Sequence, residues 1–168
     1  SAIIYNDLAD YDNALKQLST ALAINDKDYV IYNNRGIILA NKNDLSNALE
    51  NFKIAISKNP IFEKAYINLG IIYYHQKKID NAIEIFEKTL DLNANNHLTY
   101  YYPACCYLKN NQIQLAQNYL EQSIKLNPNF SDAYNKLALI FREKGDINAA
   151  QNVLAKAIKI EEKLIYEL

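Results

Sequence analysis

Apolar and polar positions alternate along this chain with the period of amphipathic helices. Tyr66, Leu69, Gly70 and Tyr73 stand at i, i+3, i+4 and i+7, which places them on one face of a helix. After a polar link at residues 75–78, a second set follows the same rule: Ile79, Ala82, Ile83, Phe86, Thr89 and Leu90. The pattern therefore predicts two helices joined by a short turn.

This helix pair recurs along the chain at a constant sequence spacing, which equals the separation between Ala14 and Ala48. The same alanine marks the second helix of each pair: Ala14, Ala48, Ala82, Ala116 and Ala150. Aromatic and small residues of the first helix repeat at the same step: Tyr32, Tyr66, Tyr100 and Tyr134, and Gly36, Gly70, Ala104 and Ala138. No insertion breaks the register, so the sequence predicts a linear array in which each pair packs mainly on its neighbours.

Short polar segments and prolines indicate where the helices begin and end. Aspartates that precede second helices are expected to cap them by accepting a backbone N–H: Asp10, Asp44 and Asp146. Lys78 and Gln112 stand at the same phase and are poorer caps. Pro60 and Pro128 follow second helices, which they are expected to stop.

The two helices of a pair are expected to cross closely, because small residues recur on both of them. Gly70 on one helix and Ala82 on the other leave room for Tyr66, Tyr73 and Phe86 to interlock. A larger residue at Ala82 would overpack the crossing, at a cost of about 1–3 kcal/mol.

These spacings resemble those of the tetratricopeptide repeat. The third repeat carries the family's aromatic, Leu-Gly, Tyr, Ala and Phe positions: Tyr66, Leu69, Gly70, Tyr73, Ala82 and Phe86. Thr89 and Ala94 stand where Ala and Pro are usual. The resemblance implies an all-α fold, a right-handed superhelical solenoid of antiparallel helix pairs. We expect one domain over residues 1–168, made of a partial repeat, four full repeats and an extension of the last helix: 1–28, 29–62, 63–96, 97–130, 131–164 and 165–168.

Three departures from the family pattern lead to structural predictions. Arg35 replaces a leucine, and its charge is expected to reach water or a partner, because a lone buried charge is costly. Pro103 lacks a backbone N–H, so we expect a kink or a late helix start around residues 100–103. Glu161 and Glu162 replace a closing Asp-Pro, so the last helix is expected to run on to about Leu168.

Composition narrows the classes of function. The net charge is −1 and the sequence pI is near 6.1, with no evident basic patch, so a nucleic-acid partner is not expected. No apolar run approaches the roughly 20 residues of a membrane span, so we do not expect direct membrane insertion. Cys105 and Cys106 lack metal-binding spacing and are interpreted as small apolar helix residues, compatible with a reducing, cytoplasmic location. Because the chain contains no Met and opens at Ser1 within the pattern, its native start is expected upstream.

The sequence contains no pattern that indicates catalysis. His75 and His97 have no nucleophile at motif spacing, and no Gly-rich phosphate-binding motif occurs. Glu84 and Glu87 share a helix face, which is ordinary solvated surface. We therefore predict that the protein is not an enzyme and uses no cofactor or metal ion.

The resemblance implies that the first helices line a concave groove, the usual binding surface of this family. The residues expected to contact a partner there are Asn33, Asn34, Ile37, Asn41, Ile67, Asn68, Ile71, Tyr74, Tyr101, Cys105, Leu108, Asn135, Leu139 and Arg142. An apolar, aromatic surface of this kind suits another protein that offers a peptide or an amphipathic helix with apolar anchors. Tyr74, Tyr101 and Leu108 are the leading candidates, since aromatic side chains add large contact area at low entropic cost.

Relatives recognise peptides in two ways that depend on residues at these groove positions. Some relatives hold the acidic C-terminal tail of chaperones with Lys, Asn and Arg, but apolar residues and Tyr101 occupy those places here, so that ligand is not expected. Asn34 and Asn68 are placed to hold a peptide backbone through their side-chain amides, as an asparagine ladder does in other relatives. Tyr102 and Lys136 interrupt that ladder.

Alternatives stay open for the groove and for the function. Some of the apolar positions could pack between adjacent first helices instead of binding a partner: Ile37, Ile71, Cys105 and Leu139. The array could be the substrate-recruiting segment of a larger enzyme, such as a glycosyltransferase. It could also form homo-oligomers through its terminal repeats, because the predicted second helix at residues 11–23 has an uncovered face. At the other end, apolar residues prolong the last helix without a capping helix: Leu164, Ile165 and Leu168.

Overall fold

The computed structural model describes the backbone of residues 2–166 and the side chains of residues 10–163, and contains no strand in that range. The chain divides into two compact units, residues 1–78 and 79–168. The first unit contains four helices: α1 (Ala2–Ile24), α2 (Tyr29–Asn41), α3 (Leu45–Lys58) and α4 (Glu63–His75). The second contains five: α5 (Ile79–Leu92), α6 (Leu98–Lys109), α7 (Ile113–Leu126), α8 (Ser131–Glu143) and α9 (Ile147–Tyr166).

Consecutive helices pack as the predicted pairs, α2 on α3, α6 on α7 and α8 on α9. In the first of these pairs, Gly36 lies directly against the ring of Phe52. A Cβ atom added to Gly36 would stand 2.6 Å from Phe52 Cε1, which is closer than real Cβ contacts allow. Ala48 and Ala116, at the recurring alanine position of the second helices, are fully buried. The close crossing predicted from the small residues is therefore present in this pair.

The turn inside each pair uses one residue in the left-handed region. These residues recur at the repeat period and have φ values of 63°, 60°, 58° and 80°: Asn43, Lys77, Asn111 and Gly145. At the first turn, the backbone N–H of Asn43 donates to the carbonyl of Ala40 (2.9 Å), and that of Asp44 donates to Leu39 (2.8 Å). Gly and Asn adopt this conformation readily, whereas a lysine does so at a cost.

Aspartate caps begin two of the second helices, as predicted. The carboxylate of Asp44 accepts hydrogen bonds from the backbone N–H (3.3 Å) and the side-chain amide (2.7 Å) of Asn47. These bonds hold the pKa of the Asp44 carboxyl below its usual value. Asp146 accepts a hydrogen bond from the backbone N–H of Ala149 (2.9 Å). Gln112 makes no side-chain cap, which agrees with the prediction that it is a poorer cap than aspartate.

Helix α1 departs from the predicted organisation. It is continuous from Ala2 to Ile24, so Asp10 lies inside the helix, and the prediction that Asp10 caps a helix beginning near residue 11 is wrong. The physical reason is that residues 1–28 contain neither Gly nor Pro. Ala9 stands at the phase of the left-handed turn residues, and alanine does not favour that conformation.

Turns between successive pairs are closed by an asparagine that recurs at the repeat spacing. Its side-chain oxygen accepts the backbone N–H two residues on, at 3.1–3.2 Å: Asn25, Asn59, Asn93 and Asn127. Pro60 and Pro128 follow the ends of α3 and α7, as predicted. The same turn forms at Ala94, where no proline is present, so the asparagine is the shared determinant.

Helix α6 begins at Leu98, so the prediction of a late start around residues 100–103 is wrong. The Thr99 hydroxyl donates to the carbonyl of Asn96 (2.6 Å) in the first turn, and Pro103 is buried within the helix. A kink at Pro103 stays a prediction.

Two further predictions concern Arg35 and the last helix. Arg35 is half-buried, and its Nε is buried without a hydrogen-bond partner among the described groups. That the guanidinium charge reaches water or a partner stays a prediction. Helix α9 extends to Tyr166, which agrees with the predicted run-on, whereas Leu168 lies outside the described residues.

Gly36→Ala is expected to lower the free energy of unfolding by about 1–2 kcal/mol. Overpacking against Phe52 costs roughly 1–3 kcal/mol, and alanine regains up to about 1 kcal/mol of helix propensity. Urea denaturation measures the change. The double variant Gly36→Ala/Phe52→Leu should recover part of the loss, since the shorter side chain removes the ring; a fully stable single variant would contradict the close crossing.

Lys77→Gly is expected to raise the free energy of unfolding by about 0.5–1 kcal/mol, because glycine has no Cβ to strain at positive φ. The matched control is Lys53→Gly, on the exposed face of α3, where glycine should cost about 0.5–1 kcal/mol. Thermal unfolding of both variants compares the two positions, and the prediction fails if both substitutions destabilise.

Candidate partner-binding groove

On α2, the predicted groove residues form an exposed stripe opposite the buried one. Asn34, Ile37 and Asn41 are exposed, and Val30 extends the stripe at the preceding turn. Their positions are four, three and four residues apart, so they lie on one helix face. The opposite face of the same helix buries Gly36 and Leu39.

Asn33, also predicted to bind a partner, is only 3% exposed. Its side-chain oxygen accepts a hydrogen bond from Asn68 Nδ2 of α4 at 2.9 Å. This bond joins two first helices of the first unit, and it engages one of the amides assigned to a peptide ladder. Asn34, the other amide of that ladder, remains exposed.

Helix α4 presents a mixed surface. Ile67 is buried, whereas Asn68, Ile71 and Tyr74 are half-buried. The Tyr74 ring lies edge-on to that of His75, with centroids 5.8 Å apart. Ile67 therefore supports this surface from beneath, and Tyr74 is the predicted aromatic contact that retains accessible area.

In the second unit, Tyr101 of α6 is held in a cluster of rings. Its centroid lies 5.4 Å from that of Tyr102 and 4.8 Å from that of Phe130, both at edge-to-face angles. Burial raises the pKa of its phenol far above the usual value, so the hydroxyl stays neutral. Leu108, two turns further on, is half-buried. The aromatic contact predicted at Tyr101 is thus fixed in orientation and still partly accessible.

Cys105 is buried beside this cluster, and burial raises the pKa of its thiol. Burial raises the pKa of the adjacent Cys106 to about 12. Both cysteines are free thiols. Because the thiolate is the reactive form, neither cysteine has the environment of a nucleophile, and both fit the interpretation as small apolar helix residues.

Helix α8 contributes the remaining predicted residues. Asn135 is half-buried, and Leu139 and Arg142 are exposed. On the same helix, the charges of Asp132 and Lys136 lie near enough to α6 to affect the pKa of the Cys105 thiol, which burial raises. The second unit therefore combines an aromatic centre with charged neighbours.

Sequence reasoning missed the role of Phe130. This residue precedes α8, and its ring contacts both Tyr101 and His97, the latter with centroids 4.7 Å apart. Burial lowers the pKa of His97. The signal was available, because Phe62 stands at the same phase two repeats earlier and packs edge-on against Tyr29 at 4.8 Å. In both units, an aromatic residue before a first helix thus packs against a ring at the start of the preceding first helix.

Within the described range, no group of three or more His, Cys, Asp and Glu side chains is placed to bind a metal ion. None of the helices in that range has both the length and the apolar character required to cross a bilayer.

Comparison with protein families decides the class. Three models described as tetratricopeptide repeat match residues 63–96, 100–130 and 119–152. The chain belongs to the tetratricopeptide repeat family. This membership confirms the resemblance drawn from the repeated spacings, and it supports the coarse functional class, a protein–protein interaction scaffold.

Solved structures similar to this tetratricopeptide repeat protein confirm the all-α repeat fold. A MamA structure superposes with a TM-score of 0.80 at 22% identity over 94% of this chain and 92% of that one. TTC0263, a thermophilic TPR protein in Thermus thermophilus, gives 0.78 at 20% identity over 96% and 88%. A chain of the APC/C hetero-tetramer Cut9-Hcn1 gives 0.82 at 24% identity over 90% of this chain and 29% of that one. No curated protein sequence matches this chain.

Asn68→Ala is expected to lower the free energy of unfolding of this tetratricopeptide repeat protein by about 1–3 kcal/mol, because the buried Asn33 oxygen loses its donor. Asn34→Ala, on the exposed side, is the matched control and should change stability by less than about 0.5 kcal/mol. In a double-mutant cycle by chemical denaturation, Asn33→Ala and Asn68→Ala should be clearly non-additive. Additive effects would show that the two amides are not coupled.

Proposed function

We propose that this tetratricopeptide repeat protein is a non-catalytic interaction module. Its first helices bind a peptide or an amphipathic helix of another protein through apolar anchors. One observation carries the proposal. The exposed large aliphatic side chains on first helices of the described chain are Val30, Ile37 and Leu139. Ile37 and Leu139 are predicted groove residues, and Val30 lies on the same face of α2 as Ile37.

The physical support is that exposed aliphatic area on a helix stripe gains free energy when a partner covers it, at roughly 25 cal/mol per Å². In the first unit, Val30 and Ile37 are two turns apart, a spacing that matches anchors at i and i+7 of a docked helix. Polar neighbours at Asn34 and Asn41 supply hydrogen-bonding groups between the anchors. This arrangement favours a ligand that alternates apolar and polar side chains.

In the second unit, the ring of Tyr101 supports the same interpretation. Edge contacts with Tyr102 and Phe130 already restrict it, so binding loses little side-chain entropy. Asp132 and Lys136 lie near and can select the charge of a ligand. We propose Tyr74, Tyr101 and Leu108 as contact residues, with Asn33, Ile67 and Cys105 as buried supports.

The proposal includes the cellular setting. Two free, buried thiols suit a reducing compartment, and we place the protein in the cytoplasm on that ground. The partner in this proposal is a protein segment, since the net charge of −1 provides no general attraction for nucleic acid.

Ile37→Asn is expected to weaken partner binding at least tenfold, because it removes an apolar anchor from the stripe without opening a cavity. A displayed library of random peptides is first selected on the wild-type protein, and the enriched peptides are then titrated by fluorescence anisotropy. The matched control is Ile61→Asn, an isoleucine that is more exposed but lies in a loop off the stripe.

Tyr74→Ala should also weaken the binding of these peptides, with little change in thermal stability. Tyr101→Ala should weaken their binding too, but it should also lower thermal stability, because it removes the ring contacts with Tyr102 and Phe130. Peptides that bind the Ile37→Asn and Ile61→Asn variants equally well would show that the first-helix stripe is not the binding surface.

A further inference from the structure

A second apolar surface lies at the last helix pair and is separate from the stripe on α2. Helices α8 and α9 enclose a depression of about 420 Å³ between them. Its apolar lining includes Leu139, Ile147, Ala150 and Leu154, and Gln151 adds a polar group. The depression shares Asn135, Leu139 and Arg142 with the predicted groove, whereas Leu154 and Ile147 lie outside that groove. Substitutions at Leu154 and Ile147 therefore test this surface separately from the first-helix stripe.

The repeat supplies an internal reference for this surface. One repeat earlier, Leu120 corresponds to Leu154 and Ala116 corresponds to Ala150. Leu120 is 0% exposed, whereas Leu154, the same residue type at the same phase, is 44% exposed. The lining of the depression is therefore a core-type surface that the described residues leave uncovered.

The element that buries the earlier surface is a helix. Leu120 and Ala116 belong to a core cluster with three residues of α8: Ala133, Leu137 and Ile140. These three are spaced at i, i+4 and i+7, so they form one apolar helix face. On the equivalent surface one repeat earlier, the chain itself therefore places a helix with such a face.

A polar contact accompanies the apolar one and recurs along the chain. Lys144, at the end of α8, donates to Gln114 Oε1 (3.3 Å) and Gln117 Oε1 (2.5 Å) of α7. At the same phase one repeat earlier, Asn110 donates to Asp80 at 3.4 Å. The counterparts of Gln114 and Gln117 on α9 are Asn148 and Gln151, both exposed. These amide side chains are placed to accept a donor from the end of a covering helix.

The chain immediately after this surface does not form that helix in register. If the period continued, the next first helix would begin at residue 165, but α9 remains helical through Tyr166. Glu161 stands at the phase of Asn127, so the asparagine that closes the earlier turns is missing.

We propose that this end surface binds, in trans, an amphipathic helix from a partner protein. Its contact face presents a small residue, a leucine four positions later and an aliphatic residue seven positions later. A lysine or amide donor at its C-terminal end bonds to Asn148 and Gln151.

The test uses a probe taken from the chain itself. A fluorescent peptide of residues 129–146, with blocked ends, carries the α8 face and Lys144. Titrated with the whole protein and followed by anisotropy, it should bind saturably. Leu154→Glu should weaken binding at least tenfold, because a carboxylate replaces the central apolar contact. Ile147→Glu, at the exposed start of α9, is the second variant and should act in the same direction.

Two controls make the result specific. Leu115→Glu changes a leucine of similar exposure (38%) on α7 that does not line the depression, and it should leave binding within twofold of wild type. A peptide carrying Leu137→Glu should not bind. The proposal is overturned if the wild-type protein shows no saturable binding. It is equally overturned if the Leu154→Glu protein binds the peptide as tightly as the wild-type protein does. That result is expected if the peptide displaces α8 from its own position.

Discussion

The close crossing of α2 and α3 is the constraint from which the packing of this helix pair follows. Where Gly36 meets the ring of Phe52, no atom can be added without moving a helix. Helices this close need a tight connection, and the recurring left-handed residue of each turn supplies it, from Asn43 to Gly145. In the packed pairs α2–α3, α6–α7 and α8–α9, the buried seam determines which helix faces remain exposed.

Much of the fold could be predicted because apolar and small residues recur at the same positions of successive repeats. A pattern seen in one repeat can therefore be checked against the next one. The predictions were wrong where the local sequence and the repeat spacing favour different helix boundaries. In α1, no residue breaks the helix, so helix propagation continues through the expected turn at Ala9. At Pro103, packing and the hydrogen bonds of the first turn of α6 maintain a helix that the proline alone would disfavour.

The candidate site was less predictable, since it depends on which residue the neighbouring repeat brings into contact. The family resemblance led to the prediction that Asn34 and Ile37 lie on an exposed stripe. It did not reveal that Asn33 is buried beneath the amide of Asn68, or that Phe130 supports Tyr101 from the start of the next helix pair. Such contacts join residues of adjacent repeats. The residue type at these positions changes from one repeat to the next, so the repeated pattern alone does not predict the contact.

Leu120 and Leu154 show how position in the array changes the role of a residue. Both stand at the same phase of a second helix, yet one lies in a core cluster and the other lines an open depression. Internal faces are committed to the neighbouring pair, so a change there alters stability before it can alter recognition. The first-helix stripes and the terminal face can vary without that cost. Selectivity for partners is therefore expected to reside in residues such as Ile37, Tyr101 and Leu154, while the periodic core maintains their spacing.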